Sequence, residues 1–223
     1  WPSETAPPPL LAGDVVFPEY EIRRLDNGLQ VVYVGAHEQP VVNVRLLVRA
    51  GVSSDPTVKP GVAALAAQML DQGTTSRSAQ GIAETIDNVG GALLVGAGAD
   101  LSFINVIVMK DSFDLALEMM SDVARFPAYA QPEIERQRQQ LLSGMQVSYE
   151  DPAYVSGLVF GRLVYGFHPY GLPQYGTPAS LSRITRGDLA SFHRDHYLPN
   201  NAIMAVVGDV TADEAFDGVE RAM

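Results

Sequence analysis

The sequence predicts an α+β fold, in which helices pack on a mixed, mostly antiparallel sheet. Short runs rich in Val, Ile and Leu alternate in polarity, as half-buried strands do. Longer segments have helical apolar spacing, or begin and end at residues that cap helices. Strands and helices are mixed without a regular β-α-β-α order, which favours α+β over a doubly wound sheet.

The N-terminal half is predicted to start with a hairpin, because Asp26-Asn27-Gly28 is a strong turn signal between two alternating runs. Glycines then punctuate the chain: Gly73 stops a first, alanine-rich helix, and Gly90-Gly91 terminates a second, for which Ser78 is the N-cap. The predicted elements of this half are strands 20–25, 29–34 and 41–50, helices 62–72 and 79–89, and strands 92–97 and 101–110.

The C-terminal half is predicted to be mainly helical. Its first helix is amphipathic, and its second is long and polar. A single apolar strand lies near the end of the chain. The predicted elements are helices 112–125, 132–149, 152–165 and 185–196, strand 201–207, and helix 212–223.

Composition excludes several classes of protein. The net charge of −11 makes nucleic-acid binding improbable, because basic side chains supply most of the affinity for phosphates. The absence of cysteine excludes disulfides and thiol catalysis. No apolar run reaches the ~18–20 residues that span a bilayer, so no transmembrane segment is expected. We expect a proline-rich, extended arm at residues 1–18 and one domain at residues 19–223.

The segment GVAALAAQMLDQGT, residues 61–74, resembles the metal-site helix of the insulinase, pitrilysin and mitochondrial-processing-peptidase family of zinc peptidases. That helix has a frame close to G-L-A-H-x-x-E-H-M-L-x-x-G-T. The matching residues are Gly61, Ala63, Met69, Leu70, Gly73 and Thr74. The two histidine positions of the frame fall on Ala64 and Gln68, and the glutamate position falls on Ala67. Methyl groups and a carboxamide cannot replace the imidazole and carboxylate donors that zinc needs.

The resemblance covers nearly the whole chain. LDNGLQVVYV and PVVNVRLLVRAG resemble the family's first strands, and FHPYGLPQYGT, FHRDHYLPNNA and VVGDV follow in the family's order. GGALLVGAGAD resembles the edge strand on which active relatives lay their peptide substrate, although Leu94, Val95 and Ala97 replace the pattern's Asn, Ala and Thr. The glutamate that completes the family's zinc site falls on Ser143 or Gly144.

The resemblance therefore implies an inactive domain, about half of a typical two-domain subunit, with no catalytic residue, no metal ligand and no cofactor. It implies that the domain pairs with an active zinc peptidase domain, fused or separate, around an enclosed chamber that degrades peptides. Peptide would bind along one segment as an added strand. Self-association of this half alone, and a location in the bacterial periplasm or envelope, otherwise the cytoplasm, are further expectations. The expected peptide-binding residues are Ala92, Leu93, Leu94, Val95, Gly96 and Ala97.

Three alternatives remain open on the sequence. Residues 61–74 also fit a plain alanine-rich core helix. The domain could be a purely structural subunit of a larger membrane or envelope complex, as some relatives are. Finally, His193 and His196 have the i, i+3 spacing of metal ligands, with Asp195 beside them, which would suit an independent enzyme with relocated chemistry.

Overall fold

The structure is a computed structural model that describes residues 17–223. The predicted arm, residues 1–18, lies outside the described residues except for Phe17 and Pro18, which belong to no helix or strand. The division into an arm and a domain at residues 19–223 therefore stays a prediction.

A six-stranded sheet forms the centre of the fold, in the order β1-β2-β6-β3-β5-β4. Neighbouring strands are antiparallel except for β2 and β6, which are parallel. This confirms the predicted mixed, mostly antiparallel sheet. The strands are β1 Glu21–Arg24, β2 Gln30–Gly35, β3 Val41–Val48, β4 Ala92–Ala97, β5 Ser102–Met109 and β6 Ala202–Gly208.

The predicted hairpin joins β1 and β2. Gly28 has a φ of 91°, a conformation that glycine adopts without strain, and its N–H donates to the Leu25 carbonyl at 2.9 Å. The Asn27 side chain accepts from the N–H of Leu29 at 3.0 Å. The Asn-Gly pair therefore supplies both the backbone conformation and a side-chain hydrogen bond for the turn.

Helices follow and interrupt the strands much as predicted, and Ser78 caps the second of them by accepting from the N–H of Gly81 at 3.1 Å. One short helix, α6, was not predicted. The helices are α1 Val62–Gln68, α2 Ala79–Asp87, α3 Phe113–Arg125, α4 Gln131–Tyr149, α5 Pro152–Tyr165, α6 Pro178–Leu181, α7 Arg186–His196 and α8 Ala212–Ala222.

The prediction that the first helix extends to residue 72 is wrong, since α1 ends at Gln68. Beyond it, the N–H groups of Leu70 and Gln72 bond to carbonyls three residues earlier, at 3.2 Å each. These tighter turns lead into Gly73, whose φ of 112° redirects the chain. The apolar periodicity of the sequence continues through this segment, but the helical backbone ends before it.

The core lies between the sheet and the helices. Alternate residues of β3 and β5 are buried, and α1, α3 and α8 contact the sheet. The intervening residues of these two strands point to the opposite face, where Leu47, Phe103 and Ile107 stay partly exposed. Asn43, Arg45 and Asn105 share this face, so the sheet has one covered face and one partly open face of mixed polarity.

Candidate functional site

Helix α1, which carries the family's metal positions, is held at its start by the carboxylate of Asp55. Its two oxygens accept from the backbone N–H groups of Gly61 and Ala63, at 2.6 Å each. Gly61 has a φ of 102°, and a side chain there would meet the Tyr175 carbonyl at 2.6 Å. Burial raises the pKa of Asp55 to about 6, although the two N–H donors oppose that rise. The start of α1 thus depends on a carboxylate seven residues before the first residue of the helix.

The three metal and catalytic positions on α1 are packed into the interior. Ala64 is 1% exposed and Ala67 is 0% exposed, while Gln68 is half-buried. The helix lies against α4, α7 and β4, and every residue of Val62–Ala67 is buried. The Gln68 side-chain oxygen is buried without a hydrogen-bond partner among residues 17–223. Solvent does not reach the methyl groups at two of the three positions, so these positions face packed interior and not an open site.

The remaining ligand position lies on α4. Ser143 and Gly144 are both exposed, and a side chain added at Gly144 would meet nothing within 4 Å. Neither residue offers a carboxylate. In the part of the chain that the structure describes, no group of three or more His, Asp or Glu side chains could hold a metal ion. These residues do not fit the zinc site of the family.

A polar network connects the end of α1 to α4. Gln72 donates to a carboxylate oxygen of Asp71 at 2.6 Å and accepts from Arg136, whose Nε donates to Glu133 at 2.7 Å. Burial raises the pKa of Asp71. Since these groups satisfy one another, the network fixes two helices together and presents no free ligand set.

The two histidines near the end of α7 do not converge on a common point. His193 Nε2 donates to the Ala124 carbonyl at 2.8 Å, and its ring stacks on Tyr197 at 4.7 Å between centroids. Burial lowers the pKa of His193, which favours the neutral ring, although the hydrogen bond to Ala124 opposes that shift. His196 instead packs its ring against Phe192 at 4.5 Å. The contacts favour a packing role for both histidines over a relocated metal site.

The predicted peptide-binding segment is an edge strand. β4 pairs with β5 on one side, from Ala92 opposite Ile107 to Ala97 opposite Ser102, and it ends the sheet on the other. Its side chains are apolar, and Leu94 is exposed. The structure thus gives the segment the position that the sequence predicted, whereas peptide binding to it stays a prediction.

The backbone groups of β4 alternate in direction. The N–H of Gly98 donates across the ladder to the Leu101 carbonyl at 2.7 Å. Because an antiparallel strand turns alternate residues toward its neighbour, Leu93, Val95 and Ala97 direct their N–H and C=O groups to the free edge. The Ala97 carbonyl confirms this direction, since it accepts from the side chain of Gln174.

The apolar helix α5 is the feature that sequence reasoning missed. None of its residues is buried, although it is mostly apolar. Phe160 is 67% exposed and Leu163 is 79% exposed, with Val159 and Val164 exposed beside them. We call these four residues the α5 face. Its signal was in the sequence: residues 152–165 hold one charge, and their apolar residues surround the helix.

The described residues thus form a peptidase-like α+β domain whose zinc positions carry no ligand. The family "Insulinase (Peptidase family M16)" matches residues 30–165, more than half of the chain. A second description, "Peptidase M16 inactive domain", matches residues 183–223. The chain belongs to the M16 peptidase family.

Relatives and solved structures agree with this assignment. An uncharacterized zinc protease of Rickettsia felis is 28% identical over 202 residues, which is 91% of this chain and 49% of the relative. One of Mycobacterium leprae is 30% identical over 190 residues, or 85% and 43% of the two chains. The crystal structure of a peptidase M16 inactive domain from Pseudomonas fluorescens has a TM-score of 0.87 and 27% identity, covering 92% of this chain and 50% of that one. The chain spans about half the length of the proteins it matches.

Within residues 17–223, no helix combines the length and apolar character needed to cross a membrane.

Proposed function

We propose that this chain is a non-catalytic M16 domain that pairs with an active zinc peptidase domain, fused or separate, to enclose a chamber that degrades peptides. The observation that carries the proposal is the α5 face. A domain that spans half the length of its relatives exposes a continuous apolar helix surface, which is the kind of surface that marks a protein interface.

The size of this surface supports a stable contact. Phe160 and Leu163 each leave more than half of their surface exposed, and full burial of such a side chain is worth about 1.5–3 kcal/mol. Val147 and Tyr149, near the end of α4, are also exposed, and the Tyr149 ring lies 5.9 Å from the Tyr154 ring of α5. Pairing would remove this area from water, which is a driving force that the isolated domain does not use.

Hydrolysis in such an assembly would occur at the zinc of the partner. The buried methyl groups of Ala64 and Ala67, the carboxamide of Gln68 and the exposed Ser143 and Gly144 support a non-catalytic role for this half. This half would contribute a wall of the chamber and a surface for substrate.

The free edge of β4 supports a role in holding peptide. Leu93 and Val95 point their backbone groups outward, and an extended peptide can pair with such groups without a particular side chain. The replaced positions Leu94, Val95 and Ala97 do not prevent this, because the backbone makes the bonds.

Reconstitution with catalytic M16 chains from the same organism, each carrying an intact H-x-x-E-H helix, tests the proposal. We expect one of them to form a stable complex with this chain and to cleave a quenched peptide faster in the complex than alone. In this complex Leu163→Asp should weaken association at least about tenfold, because a charge would be buried in an apolar contact. Ala190→Asp, which adds the same charge at an exposed position of α7 outside the α5 face, is the matched control and should change affinity less than about twofold.

Other results would point elsewhere. Stoichiometric zinc and peptide cleavage by the isolated chain would refute a non-catalytic role. A complex that forms through the α5 face but leaves cleavage unchanged would instead favour the purely structural subunit that the sequence left open.

A further inference from the structure

The end of β4 is covered by the segment Pro169–Gly176, which we call the strap. The Tyr170 hydroxyl donates to Asp100 Oδ2 at 2.6 Å, and the Gln174 side-chain amide donates to the Ala97 carbonyl at 2.6 Å. The same Asp100 accepts from the Ser53 hydroxyl at 3.2 Å. Two side chains of the strap thus anchor it to the end of the edge strand and to the turn that follows.

The strap is fixed by its own backbone as well. Gly176 has a φ of 72°, and a side chain added there would lie 2.2 Å from the Pro60 carbonyl oxygen. The strap is therefore in close contact with the residues that precede α1. The Ser180 hydroxyl donates to the same Pro60 carbonyl at 2.8 Å. Since these contacts do not involve Gln174, they hold its backbone in place whether or not its amide bonds to Ala97.

The Gln174 side-chain amide bonds to the carbonyl of Ala97, which is the last β4 residue whose backbone groups face the free edge. The outward residues of the strand are Leu93, Val95 and Ala97, and the Ala97 carbonyl already has a partner. Among the described residues, none donates to or accepts from the outward backbone groups of Leu93 and Val95. The edge therefore offers two residues whose outward backbone groups are both free, and a third whose carbonyl is occupied.

The opposite end of β4 is open. A groove of about 420 Å³ lies between the start of β4 and α2, lined in part by Asp71, Ile82, Ile86 and Leu93. A peptide strand paired with Leu93 and Val95 could continue past Ala92 into this groove, whereas the strap blocks its continuation past Ala97. The edge is thus asymmetric.

We propose that Gln174 is a register stop for peptide bound to β4: it restricts strand pairing to Leu93 and Val95 and directs the rest of an extended peptide toward the α2 groove. The inference rests on the proposed function, in that it assumes peptide adds to this edge. Gln174 acts here as a positioning residue through the Ala97 carbonyl.

Two capped probe peptides of alternating threonine and valine, a tetrapeptide and an octapeptide, test the register stop. The readouts are probe affinity and the hydrogen-exchange protection of the Leu93, Val95 and Ala97 amides by NMR. In the unmodified chain, both probes, paired antiparallel to β4, should protect Leu93 and Val95 but not Ala97, because the Gln174 amide lies where the residue paired with Ala97 would have to be. In Gln174→Ala the octapeptide should also protect Ala97 and bind about fivefold more tightly, the effect of one net hydrogen bond, while the tetrapeptide is unaffected.

Tyr170→Phe is the matched control, because it removes the bond between strap and Asp100 but keeps the Gln174 amide. In Tyr170→Phe, the pattern of amide protection and the affinities of both probes should equal those of the unmodified chain. Protection of Ala97 in the unmodified chain, or no gain for the octapeptide in Gln174→Ala, would overturn the register stop and leave strand addition standing. No protection of Leu93 and Val95 in any variant would overturn both, whereas pairing with a peptidase domain is judged separately by complex formation.

Discussion

Restoring the family's residues on α1 should destabilise the protein rather than rebuild a zinc site. The substitutions are Ala64→His, Ala67→Glu and Gln68→His, made singly and together. The first two positions are buried, at 1% and 0% exposure, whereas the third is half-buried. A scaffold that had merely lost its ligands would accept them again; a scaffold whose interior has closed over the site would not.

The magnitudes follow from burial. Ala67→Glu inserts a carboxymethyl group into packed interior, which costs about 1–3 kcal/mol in overpacking, and it buries a carboxyl group without a partner, which costs about as much again. Ala64→His should cost about 2–4 kcal/mol, from overpacking and an unpaired ring N–H. Gln68→His should cost less than about 1 kcal/mol. The two terms sum to about 2–6 kcal/mol, so at about 2–4 °C per kcal/mol Ala67→Glu lowers the Tm by roughly 4–24 °C.

Thermal unfolding with and without zinc, together with a metal assay, measures these effects. Ala83→His is the control, because Ala83 is exposed on α2 and should tolerate the ring within about 0.5 kcal/mol. We expect no zinc-dependent rise in Tm for any variant. A triple variant that keeps the original Tm, binds one equivalent of zinc and gains stability from it would refute the claim that the site has closed.

Three further predictions concern stability. Burial raises the pKa of Asp55 to about 6 from 3.8, so the folded state favours the protonated carboxyl group. The resulting contribution to the free energy of unfolding is fully present below about pH 3.8 and is lost as pH rises through 6. In urea unfolding, the loss of unfolding free energy caused by Asp55→Asn should therefore shrink by about 1.4 kcal/mol from about pH 5 to pH 8. A loss that grows with pH would contradict this. Asp122→Ala should cost about 1–3 kcal/mol in chemical denaturation, because it removes the acceptor of the buried Thr74 hydroxyl and of Arg77 Nη1, while Arg77 keeps its ion pair with Glu118. Thr211→Ala removes the capping box with Glu214 and should lower stability by about 1 kcal/mol; an unchanged midpoint would show that the cap contributes nothing.

Local signals in the sequence were sufficient for elements with clear ends. β4 and α5 have the predicted bounds, because Gly90-Gly91 precedes the strand and Asp151-Pro152 opens the helix. The Asp151 carboxylate accepts from the Ala153 N–H at 2.9 Å and so caps the start of α5. The fold class followed from elements of this kind.

Long-range contacts could not be predicted from the sequence. The end of α1 depends on turns that the tertiary structure selects, so the alanine-rich run predicted four residues too many. Asp55 and Gln174 reach α1 and β4 across intervening chain, and neither belongs to a motif. The loss of the zinc ligands could be read from single positions, but whether the vacated space was open or filled could be decided only from the burial of Ala64 and Ala67.

The two edges of the sheet differ in a way that bears on function. β1 carries Glu21, Arg23 and Arg24, all exposed, and charged edge residues of this kind discourage pairing with another strand. β4 has no charged residue, no proline and no bulge in its register with β5. Charged side chains thus discourage strand addition at β1, whereas the open part of the β4 edge, at Leu93 and Val95, has none. This difference supports the proposed addition of a peptide strand at β4.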